Sequence, residues 1–120
     1  MNTGISYLYR DASNYKEQNY AVVEGEITQD QIDTIMDCLS DRADDYGYFI
    51  PFQVGLDEER PGAFDEEDDH VWFELYEDSF EIVDRPVTTW PQMTVEELVE
   101  NFEAARDNWD EMEAWERLIS

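Results

Sequence analysis

Residues 5–10 (Ile-Ser-Tyr-Leu-Tyr-Arg) alternate with a period of two and are rich in β-formers, which predicts a strand. Asp11-Ala-Ser-Asn14 carries turn chemistry, and residues 20–27 predict a second strand with a bulge at Gly25. The period then changes. Thr28 followed by Gln31 reads as a capping box, and Ile32, Ile35, Met36 and Leu39 fall at i, i+3, i+4 and i+7. That spacing is one apolar face of a helix over 29–41, closed by Asp44-Asp-Tyr-Gly47.

Residues 48–54 read as a third strand, although Pro51 removes a ladder donor and places it at an edge or a bulge. Residues 55–69 read as loop. The segments 70–76 and 80–84, separated by Glu77-Asp-Ser79, predict a hairpin. In it Phe73 and Leu75 alternate with Glu74 and Tyr76, apolar on one face and polar on the other. After the 86–91 connection, Thr94-Val-Glu-Glu97 is a second capping box. It opens a helix read as running to Leu118, with Val95, Leu98, Val99, Phe102, Ala105, Trp109 and Met112 as its stripe. The order β-β-α-β-β-β-α predicts one α+β domain over residues 1–120. Its antiparallel sheet has four to five strands, with two helices packed on one face.

Charge changes this picture more than composition does. Seven basic residues face 32 acidic ones, a formal net charge of −25 at pH 7. Such imbalance keeps a chain soluble and pushes its compact state apart. Disorder is excluded by a hydrophobic fraction of 42% and an aromatic fraction of 14%, which are core-forming amounts. Salt adaptation is disfavoured because halophilic chains use smaller apolar residues than these four Trp, seven Tyr and six Phe. Cys38, the only cysteine, permits no internal disulfide and falls among apolar neighbours, where a thiol is buried and inert. Neither a signal peptide nor a membrane span is expected, and an anionic bilayer repels this charge.

The acids follow the period of each element. Asp30, Asp33, Asp37 and Asp41 form one stripe on the first helix. Glu96, Glu100, Glu103, Asp107 and Glu111 form another over about 22 Å at roughly 1.5 Å per residue. Glu74 lies on the polar face of the hairpin. Asp65, Glu66, Glu67, Asp68 and Asp69 make an acidic loop able to wrap a basic partner. Like charges so placed repel by a few tenths of a kcal/mol per pair, at about 0.2–0.5. Duplex DNA carries about one charge per 1.7 Å of axis, a density that such stripes approach.

Catalytic patterns are missing. The chain has no Gly-rich phosphate loop, nucleophile elbow or paired-histidine zinc motif, and the EF-hand spacing is absent. His70, the only histidine, is read as a strand-edge residue paired with an acid. No catalytic residue, metal site or cofactor is expected. Arg10 is read as pairing with carboxylates of the sheet, and Trp115 as a half-exposed interface anchor.

In size, charge balance and carboxylates placed on regular elements, the chain resembles the small acidic DNA-mimicking inhibitors of phages and mobile elements, of the anti-restriction and anti-CRISPR kind. The resemblance implies a non-enzymatic inhibitor acting in the host cytoplasm. Its partner would be a basic nucleic-acid-binding protein, a Cas complex or a restriction enzyme, with no direct contact to nucleic acid or membrane. The fifteen acids of the stripes, the loop and Glu74 are then the expected partner-binding residues. The alternative is an acidic immunity protein or antitoxin that neutralises a basic toxin.

Overall fold

Strand β1 (Asn2–Arg10) is the spine of a five-stranded antiparallel sheet in an α+β fold. The computed structural model describes residues 1–60, 65, 67 and 69–119. β1 pairs with β2 (Lys16–Val23) from Thr3 opposite Val23 to Arg10 opposite Lys16. The connecting turn closes through Asn14 N–H to Asp11 O at 3.0 Å, with Asn14 left-handed at φ 66. Asn tolerates that conformation because its short polar side chain bonds locally. Along β1, Ile5, Tyr7 and Tyr9 are buried while Ser6, Leu8 and Arg10 face the other way, the period of two read from the sequence.

The other side of β1 departs from expectation. β3 (Tyr46–Phe49) pairs with β4 (Phe73–Tyr76), and β4 and β5 (Phe80–Val83) both run antiparallel to β1. They are therefore not the arms of a hairpin but successive halves of one interrupted strand. Leu8 lies opposite Glu74 and Ile5 opposite Phe80, and the three residues Glu77–Ser79 form a 3₁₀ turn that absorbs the surplus. Two bonds anchor the turn: Tyr76 N–H donates to Ser79 Oγ at 2.9 Å and Glu77 N–H to Asp45 O at 2.9 Å. A tight turn and a jog in a strand share the same residue chemistry, so composition alone does not separate them.

The expected strand over 48–54 ends at Phe49, and Pro51 opens a 3₁₀ turn over Pro51–Val54. Proline suits the first position of such a turn, where its missing N–H leaves no bond unmade. Gly25 is not a bulge within a strand. It sits past the end of β2 at φ 100, where Glu24 joins the chain at Thr94 through bonds of 2.9 Å to Met93 O and from Val95 N–H. Gly47 in β3 is required by packing, since a Cβ there would stand 2.7 Å from Leu39 Cβ.

Helices α1 (Gln29–Asp37) and α2 (Val95–Ala105) begin at the two expected capping boxes. Thr28 Oγ1 accepts from Gln31 N–H at 3.2 Å, and Thr94 Oγ1 from Glu97 N–H at 3.1 Å. Both end earlier than the periodicity predicts. α1 stops at Asp37, and Asp41 lies beyond it, left-handed at φ 46. The long last helix is two: α2 ends at Ala105, Asp107 turns left-handed at φ 60, and α3 (Glu111–Ile119) starts afresh. Asp110 caps α3 by accepting from Glu113 N–H at 2.9 Å. Gln53 fastens the break by bonding both the carbonyl and the N–H of Asp110, at 2.8 and 3.1 Å.

α1 and α2 pack side by side on the sheet face that carries Ile5, Tyr7 and Tyr9. Ile35, Met36, Leu98 and Phe102 meet Phe49, Phe73 and Leu75 there in one buried cluster. A second, smaller cluster gathers Ala114 of α3 with Ile50 and Val71, flanked by Trp72, Trp109 and Trp115. Trp115 is thus half-buried against this cluster. Among the described residues, no helix is long and apolar enough to cross a membrane.

Candidate functional site

The two helices on one side of the sheet carry the most regular array of carboxylates. On α1, burial of Ile35 and Met36 leaves Asp30, Asp33 and Asp37 exposed; on α2, burial of Leu98 and Phe102 does the same for Glu96, Glu100 and Glu103. Asp37 pairs with Arg42 at 2.6 Å. Asp30, Asp33, Glu96, Glu100 and Glu103 take part in no ion pair among the described residues. Seven basic side chains cannot neutralise 32 acids in any arrangement.

The other expected residues lie elsewhere. Asp41, Asp107 and Glu111 leave the stripes because the helices end early, and they gather around a cleft bordered by Trp72. Asp65 and Glu67 are exposed, and Glu66 and Asp68 lie outside the described residues. Asp69 is turned inward, accepting from the Tyr9 hydroxyl and, at 2.6 Å, from Asp65 N–H. Glu74 is 8% exposed and held by Arg10 at 3.2 Å and the Tyr76 hydroxyl at 2.6 Å. It therefore belongs to the sheet rather than to an open anionic surface, and Arg10 has the sheet carboxylate expected of it.

The far face of the sheet has a different character. Tyr46, Tyr48 and Tyr76 cluster there, Tyr46 stacked on Tyr76 at 5.4 Å and edge-on to Tyr48 at 5.9 Å, next to the Arg10–Glu74 pair. This face thus carries stacked aromatic rings and an ion-paired arginine, whereas the outer faces of α1 and α2 carry exposed carboxylates.

A buried network that the sequence did not disclose fixes the start of the acidic loop. Arg60 donates to His70 O at 2.6 Å, pairs with Glu58 at 3.3 Å, and lies over the rings of Tyr9 and Phe73 at 4.5 and 5.0 Å. Glu58 also accepts from Phe52 N–H at 3.1 Å and meets Arg117 at 3.5 Å. Residues 57–60 are consequently tied to the body, further secured by Tyr7 O–H to Asp57 O at 2.6 Å and by Asn19 to Glu59. His70 is not paired with an acid: its Nδ1 accepts from Trp72 N–H at 3.0 Å, so Nε2 carries the proton donated to Arg10 O at 2.7 Å. Both ring nitrogens are used in holding the fold.

Several hydroxyls and the thiol are shifted upward. Burial first, then the hydrogen bond to Asp69, pushes Tyr9 up to about 12; the bond to Glu74 first, then burial, pushes Tyr76 up to about 12. Burial also raises Tyr7, and it raises the Cys38 thiol, which suits an inert cysteine. A hydroxyl whose folded pKa exceeds its unfolded value of 10 contributes fully below pH 10. That contribution fades as pH rises through the folded value. The contribution of these tyrosines is therefore expected to be constant below pH 10 and to be lost between pH 10 and about 12. Chemical denaturation across that window checks it, and Tyr9→Phe should make the decline shallower.

Among the described residues, no three His, Cys, Asp or Glu side chains are grouped to hold a metal ion. In comparisons with protein-family models, with curated proteins and with solved structures, nothing matches this chain.

Proposed function

We propose that this chain is a non-enzymatic inhibitor that presents α1 and α2 to a basic nucleic-acid channel as a substitute for a polynucleotide backbone. The observation that carries the reading is the pair of helices on one side of the sheet, whose outer carboxylates are rigidly spaced and, apart from Asp37, free of ion pairs among the described residues. Neighbouring side chains on a helix face stand about 5–6 Å apart, a sparser row than one DNA strand with about 3.4 Å of axis per phosphate, and two such faces lie side by side here. Complementary charge gives fast association and a steep dependence on salt. The partner class is a Cas effector or a restriction enzyme, met in the cytoplasm of the host cell.

The test is competition. Purified protein is titrated into a complex of labelled duplex with a basic Cas effector or restriction enzyme at low salt, and release is followed by anisotropy. Displacement should weaken steeply as salt rises. Changing Asp30 and Asp33 to Asn and Glu96, Glu100 and Glu103 to Gln should weaken it about tenfold or more, even at roughly 0.3 kcal/mol lost per charge. Displacement undiminished in that variant, or no displacement at all, would sink the reading. Capture of a small basic toxin without competition for nucleic acid would instead favour an immunity protein or antitoxin.

A further inference from the structure

We propose that the cleft between β3, Trp72 and the α2–α3 break is a receptor for the guanidinium of one arginine side chain of the partner. This rests on the reading above that the partner is basic, and it names where one of its side chains is held. The cleft has a volume of about 430 Å³ and is lined by Ser40, Asp41, Tyr48, His70, Trp72 and Glu111. Across Ser40, Asp41 and Trp72 it continues into a hollow of about 360 Å³ bounded by Asp107 and Trp109. Three carboxylates thus surround a wall of aromatic rings, and no Lys or Arg lines either part among the described residues.

The wall is built rather than incidental. Trp109 Nε1 donates to Cys38 O at 3.0 Å, which sets its ring edge-on to Trp72, centroids 6.4 Å apart at 72°. His70 is engaged with the backbone rather than with the acids of the cleft, its Nε2 bonded to Arg10 O and its Nδ1 to Trp72 N–H. The same bond fixes the backbone from which the Trp72 ring projects. Arg42 is engaged with Asp37 and Glu77, and Arg10 with Glu74. Arg106, the chain neighbour of Asp107, is not among the lining residues.

Aromatic faces beside carboxylates select among cations. A guanidinium is planar, weakly hydrated and forked, so it stacks on an indole while bonding a carboxylate with two donors. An ammonium, compact and strongly hydrated, gains less from the same wall. Calcium and magnesium ask for a shell of oxygens, which rings cannot supply. Phosphate is repelled by the acids. Arginine is also enriched among the residues that dominate interface energy, where one buried anchor outweighs many rim charges.

The experiment needs no partner protein. Uniformly ¹⁵N-labelled chain is titrated at constant ionic strength with arginine blocked at both its amino and carboxyl ends, and with lysine blocked in the same way. The indole N–H signals are followed. Trp90, 91% exposed and outside the cleft, serves as the internal control. Saturable shifts confined to Trp72 and Trp109 are expected with blocked arginine, with affinity about fivefold or more above that for blocked lysine. The double variant Asp41→Asn, Glu111→Gln should reduce that affinity about tenfold while leaving the rest of the spectrum in place. Asn tolerates the left-handed backbone at position 41, and Glu111 is exposed, so the fold is kept. Shifts that grow linearly and move Trp90 equally, equal affinity for lysine, or affinity unchanged in the double variant would overturn the proposal. Failure here leaves the displacement assay to be judged on its own, and success here stands even if no nucleic acid is displaced.

Discussion

Arg60→Ala should lower the melting temperature by roughly 10–20 °C, from about 3–5 kcal/mol for breaking a buried ion pair in a domain of this size. Arg60 and Glu58 have side chains only 8% and 4% exposed. Removing the guanidinium strands the Glu58 carboxylate in the interior, with the longer contact to Arg117 and the Phe52 N–H as its remaining partners. It also strips the cation from the faces of Tyr9 and Phe73 and leaves His70 O without its donor. Most of the loss comes from the orphaned charge, not from the pair's own attraction. The double variant Arg60→Met, Glu58→Gln should therefore be clearly more stable than Arg60→Ala alone. Thermal unfolding by circular dichroism measures both, and a double variant as unstable as the single one would contradict this account.

Phe102→Ala should cost about 3–5 kcal/mol, the range for deleting a fully buried phenyl ring. Phe102 is 1% exposed, stacks on Phe49 at 5.5 Å and meets the edge of Trp109 at 6.0 Å. It is the side chain through which α2 reaches both the sheet and the indole beside the cleft. The cavity left behind cannot collapse easily, because Trp109 is held to Cys38 O. Urea denaturation should show the lowered stability, and the near-ultraviolet signal of the folded variant should change as Trp109 loses a neighbour. Phe102→Leu, which retains most of the volume, should cost under half as much, at about 1.5 kcal/mol or less.

How far the acids could be placed from the sequence depended on how local their causes were. Asp30, Asp33, Glu96, Glu100 and Glu103 were found because helical periodicity puts them opposite Ile35, Met36, Leu98 and Phe102. The same periodicity assigns Asp41, Asp107 and Glu111 to these stripes, but α1 ends at Asp37 and α2 at Ala105. One break did leave a local mark: Asp110 followed by Glu113 repeats the capping pattern seen at Thr28 and Thr94. Alternation assigns Glu74 to the polar side of its strand but does not say what covers that side. Arg10 of β1 and Tyr76 of β4 hold it, and Tyr48 of β3 lies opposite.

The amino-acid order alone determined the class of fold, the starts of α1 and α2, the alternation of β1 and the charge excess. Apart from the fold class, which follows from the order of the elements, these rest on interactions within a few residues or on simple counting, and here the packing of distant segments agrees with them. Tertiary structure alone decided that β4 and β5 share one side of β1, that Gln53 fastens a break between α2 and α3, and that Arg60 holds Glu58 inside. It also brought Asp41, Trp72, Trp109 and Glu111 to a single cleft. Each of these depends on groups far apart in the chain, whose meeting is set by how the layers pack around the core.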